Sequence, residues 1–560
     1  METNQTNHLG KYKYINLYLT LKKHFNINEE KYGDYIKDSI KILMDHEING
    51  ESLVNIDEKL KSIDLLKQDW PEGHIKALVN SGLINKTYSP IIYKNSKLSW
   101  QKWSSKIQNI SEKFLSKINS KKIKESERDL ESFSDIEKIK RIFKLSNIVF
   151  LQGGPGTGKS TLIISLILNY LESNKFFNIG ICAPTGKATA RLKESLDKKK
   201  SESANKNLDQ IECQTLHRWI YNSNNKTGRI KFRLKELDFF IVDEMSMVSI
   251  DLIDSFMDLL AKDCKILLVG DANQLPPINN CSIWNYIFEN RPNKVFNLCT
   301  VNLHKTYRNN GDIEKLSKSI FNKDQKFFNR TFNDIAESTN SSSNVKIIEC
   351  KNYKVPNNLI LEIKESMNKL NLKASELSEK KYLFQKSVGN LLNYEKELII
   401  EIFNELNSHL ILCETNTGIM GVQSLNEIII KQKEPYDFIS LDEGLPIMCT
   451  ENNNELGIAN GDIGILIGSN SNRKLLFKKF GKNNEPVFFL IEPKNLEKII
   501  PAIAITIHKS QGSEAKKVSL LWTKQNNKRI NFFNDNYEKR LFYTAITRAQ
   551  ENLNIYNYGK

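Results

Sequence analysis

The residues Gly153-Gly154-Pro155-Gly156-Thr157-Gly158-Lys159-Ser160, with Thr161 behind them, carry the densest chemistry in this 560-residue sequence. Glycines let a backbone curl until several N–H groups converge on one point, an arrangement that suits an anion. The apolar run Ile148-Val149-Phe150-Leu151 comes before and Leu162-Ile163-Ile164-Ser165-Leu166 after, so the stretch reads as strand, loop and helix. The helix adds the positive end of its dipole to the same point. The spacing G-x-x-x-x-G-K-[ST] is that of a phosphate-binding loop, with Lys159 placed for the β- and γ-phosphates of ATP and the Ser160 hydroxyl for Mg²⁺. A second group follows 83 residues after Ser160: Phe239-Phe240-Ile241-Val242 ends in Asp243-Glu244. One carboxylate at a strand end can orient Mg²⁺, and the next can take a proton from an attacking water. A third strand, Ile266-Leu267-Leu268-Val269, runs into Gly270-Asp271-Ala272-Asn273-Gln274, where the Gln274 amide is placed to sense a γ-phosphate.

These groups need a scaffold, and from residue 179 the chain alternates strand-like and helix-like segments. That is the pattern of an α/β fold with a parallel sheet. Ile179–Ala183 is a strand leading through Pro184-Thr185-Gly186-Lys187 into a helix; Ser195 to Asn207 is a charged insert expected as an exposed loop. Thr215-Leu216-His217-Arg218-Trp219 groups polar side chains beside an aromatic, and Tyr307-Arg308 sets an aromatic next to a cation. Asn119–Arg128 and Ser338–Asn344 read as linkers. The chain is helical from about 357 to 408, a strand at 409–413, and rich in short β-like runs at about 435–500, which suggests a small β-barrel-like insertion. Residues 1–115 show three- and four-residue apolar spacings of helices, with a hairpin around Asn95-Ser96. The expected domains are therefore 1–115, 116–340 and 341–560.

Composition narrows the class. Net charge is +15, but residues 1–80 sum to −2, so the remainder carries +17. A basic body calls for a polyanionic partner, and a near-neutral N-terminal piece suits a protein partner better. The eight cysteines, at 182, 213, 264, 281, 299, 350, 413 and 449, form no C-x-x-C pair, which argues against a zinc or iron–sulfur site and for reduced thiols in the cytoplasm. No run of about 18 apolar residues predicts a membrane span, and the N-terminus lacks the pattern of a secretory signal.

GGPGTGKS, APTGKATARL, IVDEMSMV, VGDANQLPP, the Tyr307-Arg308 pair, ITIHKSQGSE and YTAITRAQ stand in one order between about 148 and 556. The set resembles the ordered motifs of superfamily 1 helicases, and TLHRW and LGIANGDIGI narrow the resemblance to the RecD family, the α subunit of exodeoxyribonuclease V. The match to IIYKNSKLSWQKW in the N-terminal piece is looser. The resemblance implies two tandem RecA-like P-loop NTPase domains with ATP and Mg²⁺ between them, and 5′ to 3′ movement along DNA. It implies work at double-strand breaks beside RecB-like and RecC-like subunits, the nuclease lying on another subunit. It makes Arg308 and Arg548 arginine fingers. It lays single-stranded DNA on Thr185, Lys187, Thr215, His217 and Arg218 of one domain and Thr506, His508 and Lys509 of the other. The family's longer stand-alone relatives carry N-terminal DNA-binding repeats for which residues 1–147 leave no room. A free-standing repair helicase and an ATP-binding structural subunit are the alternatives. One departure stands out: the adenine-reading glutamine of many relatives is missing between 121 and 150, where Asp135 falls near its place.

Overall fold

The computed structural model describes residues 3–25, 27–57, 65–84, 86–119, 133–173, 177–202, 211–224, 232–277, 281–290, 294–307, 311–322, 325–337, 343–350, 354–380, 393–453, 455–456, 458–469, 472–480, 486–523 and 536–558. Two compact units emerge: Met1–Thr185 with Lys199–Lys305, and Gly186–Lys198 with Thr306–Lys560.

Unit 1 opens with α1 (Thr3–His24), α2 (Glu29–Ile48), β1 (Val54–Asn55), α3 (Glu72–Asn80), β2 (Ile91–Lys94), β3 (Lys97–Trp100) and α4 (Gln101–Ser116). The three strands form a small antiparallel sheet in the order β1-β3-β2. Asn95 and Ser96 close the expected hairpin with φ of 51° and 56°, the left-handed pair that a two-residue type I′ turn requires. In α4 the residues Trp103, Ile107, Ile110 and Phe114 recur every three or four positions, and all four are buried. The Phe114 ring meets Phe150 edge-on at 5.7 Å between centroids, and Lys113 pairs with Asp254 and Asp258 at 2.6 and 2.5 Å. Beyond the helix, Ile118 bridges Ser146. An end to the N-terminal piece at residue 115 thus falls within a helix that packs into the core of unit 1. The linker expected at 119–128 lies outside the described residues from 120 onward.

The rest of unit 1 is built on α5 (Asp135–Ile142), β4 (Ile148–Gly153), α6 (Lys159–Ser173) and β5 (Ile179–Ala183). After α7 (Gly186–Glu202) come β6 (Ile211–Thr215), α8 (Leu216–Asn224), β7 (Phe239–Val242), α9 (Ile250–Leu259) and β8 (Lys265–Gly270). Last are α10 (Ile283–Asn290), α11 (Lys294–Leu298) and β9 (Thr300–Leu303). The six strands pair in the order β6-β5-β7-β8-β4-β9, and every pair is parallel. Buried runs such as Phe239-Phe240-Ile241-Val242 are what a sheet covered on both faces demands. The chain leaves β4 toward β5 on one side and returns to β9 on the other. The C-terminal end of β4 is therefore a topological switch point, where α/β sheets bind ligands.

The charged insert differs from expectation. Residues 195–202 are not a loop but the last turns of α7, while 203–207 lie outside the described residues. Leu192 and Leu196, one turn apart and buried, anchor the helix, and the Lys- and Glu-rich sequence that looked like a loop has high helix propensity.

Most of α7 clusters with unit 2. That unit continues with α12 (Asp312–Ile320), α13 (Gln325–Glu337), β10 (Val345–Cys350), α14 (Asn357–Ser378), α15 (Asn393–Leu406), β11 (His409–Cys413) and α16 (Val422–Ile430). Then follow β12 (Pro446–Cys449), β13 (Ile463–Ile467), β14 (Lys474–Phe480), β15 (Pro486–Ile491) and β16 (Ile499–Pro501). The chain finishes with β17 (Ala504–Thr506), β18 (Ala515–Trp522), α17 (Asn536–Ile546) and β19 (Ala549–Tyr558). A parallel sheet runs β10-β19-β18-β11-β17, and the β insertion is a separate antiparallel sheet, β15-β14-β13-β12-β16. Strand alternation divides this second sheet between two cores. Ile465, Ile467 and Leu476 join Leu370, Leu377 and Ile402 of the helix pair α14–α15. Leu466, Leu475 and Phe477 face Ile411, Ile447 and Tyr556. The expected linker at 338–344 lies outside the described residues up to 342; Ser343 then donates to Asp312.

Candidate nucleotide site

The loop between β4 and α6 has the backbone its sequence asks for. Gly156 and Gly158 take φ of 74° and 84°, which glycine adopts without cost. A Cβ on Gly153 would lie 2.6 Å from the Thr157 hydroxyl, so that position also excludes any side chain. Thr157 donates to the Gly154 carbonyl at 2.8 Å, closing the curl. Lys159 folds back over it and donates through Nζ to the Gly153 and Gly154 carbonyls at 2.6 and 2.9 Å. Ser160 and Thr161 sit in the first turn of α6, at its positive end.

At the end of β7, Asp243 is buried and accepts from the Glu244 N–H at 2.8 Å, which fixes its carboxylate. Glu244 stands in the left-handed region, φ 54° and ψ 43°. A non-glycine residue held there stores on the order of 1 kcal/mol of strain, a feature that gathers at functional sites. Its carboxylate has no hydrogen bond or ion pair to another described residue.

Gln274 is buried after β8. Its Nε2 donates to Asp271 Oδ2 at 3.4 Å, while its Oε1 finds no hydrogen-bond partner among the described residues. Gln152, the residue just before the loop, is not among the expected residues. Its Oε1 accepts from the Ala272 N–H at 3.2 Å and from Trp284 Nε1 at 3.1 Å, and its Nε2 lies 3.5 Å from Asp271 Oδ1. Gln152 thus joins the end of β4 to the segment that carries Gln274. A polar residue closing an apolar strand was the signal available for it. Asp135, near the place of the missing glutamine, opens α5 and pairs with Lys138 at 3.8 Å.

The remaining expected residues divide between the units. Ala183 and Thr215 are register partners of β5 and β6, so Thr185 and Thr215 belong to the same end of the sheet in unit 1. His217 and Arg218 are exposed on the first turn of α8, while their neighbour Trp219 is fully buried and donates to the Ile181 carbonyl at 3.1 Å. In unit 2, Lys187 is half-buried at the start of α7, and desolvation lowers its pKa against the pull of Asp462. Thr506 accepts from the Lys509 N–H at 3.4 Å, and Lys509 is exposed. His508 stacks on Tyr537, with ring centroids 6.1 Å apart and the hydroxyl 2.9 Å from Nε2. Tyr537 is 29 residues away in sequence, and nothing there marks it. Arg548 is buried; its Nε donates to the Thr544 carbonyl at 3.0 Å and its Nη1 to the Ser513 carbonyl at 3.2 Å. Arg308 lies outside the described residues.

Among the described residues no group of three or more His, Cys, Asp or Glu could hold a metal, and no helix is long and apolar enough to cross a membrane. All eight cysteines are free thiols, and burial pushes Cys413 up to about 12, far from nucleophilic use.

Comparison with known proteins places these features in a family. The AAA domain model matches residues 137–280, and the UvrD-like helicase C-terminal domain model matches 501–556. Among solved structures, a crystal structure of Bacteroides Pif1 bound to ssDNA is 17% identical and covers 76% of this chain and 92% of its own, with a TM-score of 0.38. The RecBCD enzyme subunit RecD of Buchnera aphidicola subsp. Acyrthosiphon pisum is 28% identical over 597 residues, spanning 95% of this chain and 91% of that protein. The same subunit from Buchnera aphidicola subsp. Schizaphis graminum is 30% identical over 479 residues, 76% of this chain and 72% of its relative. An identity of that size over that share of both chains makes this chain a member of the RecD family.

Proposed function

We propose that this chain is an ATP-dependent DNA helicase subunit that moves 5′ to 3′ in a RecBCD-like complex, unwinding DNA ends for double-strand break repair and recombination in the cytoplasm. The observation that carries the reading is the set of strand ends in unit 1. Lys159 follows β4, Asp243 and Glu244 follow β7, and Gln274 follows β8, which lies between those two strands. Gly153–Thr161 would cradle the phosphates of ATP, and Lys159 would exchange two loop carbonyls for phosphate oxygens. Glu244, with no hydrogen bond or ion pair to another described residue, would take the proton of the attacking water. Ser160 and Asp243 would hold Mg²⁺, which neutralises phosphate charge when bound. Gln274 would present its amide to the γ-phosphate, and Arg308 and Arg548 would meet the charge that develops there. On unit 1, Thr185, Thr215, His217 and Arg218 would hold single-stranded DNA; on unit 2, Lys187, Thr506, His508 and Lys509.

The two units supply the RecA-like motor domains in this reading, and the antiparallel sheet at 446–501 is an SH3-like insertion in the second. Residues 1–115 form the docking surface for a RecC-like partner, with a RecB-like subunit completing the heterotrimer. The test is ATP hydrolysis with and without single-stranded DNA, joined to unwinding of a duplex with a 5′ overhang. Stimulation by DNA, with binding that weakens steeply as salt rises, is expected. Equal hydrolysis with RNA, or with no nucleic acid, counts against it.

A further inference from the structure

Helix α7 presents a charged stripe whose members all meet charges inside unit 2. Lys187, Arg191 and Glu194 follow at i, i+4 and i+7, one face of a helix. Asp462 acts on Lys187 electrostatically. Arg191 Nη2 lies 2.7 Å from Glu514 Oε2, and Lys478 on β14 lies 3.1 Å from Glu194. The middle pair is the most enclosed, with the Glu514 side chain only 11% exposed.

Glu514 does more than receive Arg191. The same oxygen accepts from Gln550 Nε2 at 3.0 Å. Its neighbours on both sides grip Arg548: the Ser513 carbonyl takes the guanidinium Nη1, and the Ala515 N–H donates to the Arg548 carbonyl at 3.0 Å. Residues 513–515 and 548–550 are thus clamped together at three points, and Arg191 holds the middle one from outside. We propose that Arg191 is a positioning residue: through Glu514 it sets the segment that aims Arg548, and it joins that segment to the helix turn bearing Lys187. The inference rests on the reading of Arg548 as an ATP-facing arginine. It adds a residue outside the nucleotide site, and a physical route from α7 to the hydrolytic machinery.

The logic is geometric. Arg548 has spent two of its donors on backbone carbonyls, so its orientation follows wherever residues 513–515 sit. Without Arg191, the Glu514 carboxylate keeps Gln550 but loses the charge-assisted bond to the guanidinium, and a largely enclosed carboxylate that loses such a bond draws in water or moves. A displacement of about 1 Å at a transition-state group can cost up to 10²-fold in rate.

The experiment measures single-stranded-DNA-stimulated ATP hydrolysis by the full chain, wild type and Arg191→Ala, Arg191→Lys, Glu514→Gln and the Arg191→Ala/Glu514→Gln double variant. Melting temperature and DNA affinity are followed in parallel. Arg191→Ala is expected to lower kcat about tenfold, with KM for ATP, DNA Kd and melting temperature within experimental range of wild type. Arg191→Lys should recover at least half of the loss. The double variant should be no slower than Glu514→Gln alone, because the two side chains act as one unit. A kcat within twofold of wild type for Arg191→Ala, a rise in KM at unchanged kcat, no recovery by lysine, or additive losses in the double variant would each overturn the proposal. Absence of DNA-stimulated hydrolysis in the wild type would instead overturn the helicase reading beneath it.

Discussion

Both units present a strand, a turn and a helix at the end of a parallel sheet, yet the two ends do opposite things. In unit 1, β4 runs into a glycine loop and α6, and the turn offers backbone N–H groups and a lysine. In unit 2, β11 runs into Glu414-Thr415-Asn416-Thr417-Gly418 and α16. There Glu414 is buried at the strand end, accepting from the Thr523 N–H at 3.2 Å and hydroxyl at 2.6 Å. A buried carboxylate at that point repels a phosphate, whatever the helix dipole offers. In the proposed reading unit 2 offers its cation elsewhere, in Arg548 just before β19. The same sheet geometry therefore makes a receiver of anions or a holder of charge, and a few residues at the turn decide which.

The largest expected effect tests that division. Lys159→Gln should lower ATP turnover by at least ~10²-fold, as loss of a principal charge stabiliser does, and should leave no residual turnover from unit 2. Half the activity surviving would mean that the second sheet end also binds nucleotide. Glu244→Gln sharpens the point: turnover should fall by roughly 10²- to 10⁴-fold, while nucleotide affinity, measured by fluorescence of a labelled analogue, stays near wild type. Normal steady-state hydrolysis would remove Glu244 as the base.

Next in size is a stability effect particular to unit 1. Phe114 of α4 is fully buried against Phe150 of β4. Phe114→Ala should cost about 3–5 kcal/mol, seen as an earlier unfolding transition in denaturant. It also implies that a truncation meant to remove the N-terminal helices must stop before α4 if the phosphate loop is to keep its support.

The smallest effect belongs to unit 2. Burial, with Lys517 adding to it and Glu362 opposing, pulls His409 down to about 4. Its Nε2 shares a hydrogen bond with the Ser519 hydroxyl at 2.9 Å. Between the ordinary histidine value and 4, the unfolded chain binds a proton that the folded chain refuses. Stability is therefore full at neutral pH and is lost as pH falls through that window, by at most about 3 kcal/mol. The ring keeps some exposure to solvent, so the measured loss should be smaller. His409→Gln should flatten the pH dependence of unfolding; an unchanged slope would place the titration elsewhere.

Much of this was legible in the sequence because the chemistry sits at strand ends. Apolar runs locate β4, β7 and β8, and the candidate residues Lys159, Asp243, Glu244 and Gln274 lie just beyond them. The hairpin at Asn95-Ser96 was legible for a local reason, since few sequences accept two left-handed residues in a row. What was not legible depends on contacts across long sequence distances. Residues 195–202 read as a loop because charge masks the periodicity of Leu192 and Leu196. The packing of α4 into the core of unit 1 is one such case, because no local signal tells that Phe114 serves Phe150. Tyr537 beside His508, and Arg191 beside Glu514, are pairings that only the fold creates.

Trp284 has a use of its own. Its ring is fully buried and lies so close to Gly270 that a Cβ there would stand 2.9 Å from it. Its indole N–H is given to Gln152, the residue directly before the glycine loop. Indole emission depends on the polarity around the ring and on the hydrogen bond that the nitrogen makes. Any shift of Gln152 as the loop fills will therefore change the colour of a tryptophan already in place. The chain carries its own optical gauge of nucleotide entry, to be read by comparing wild type with Trp284→Phe and without attaching a dye.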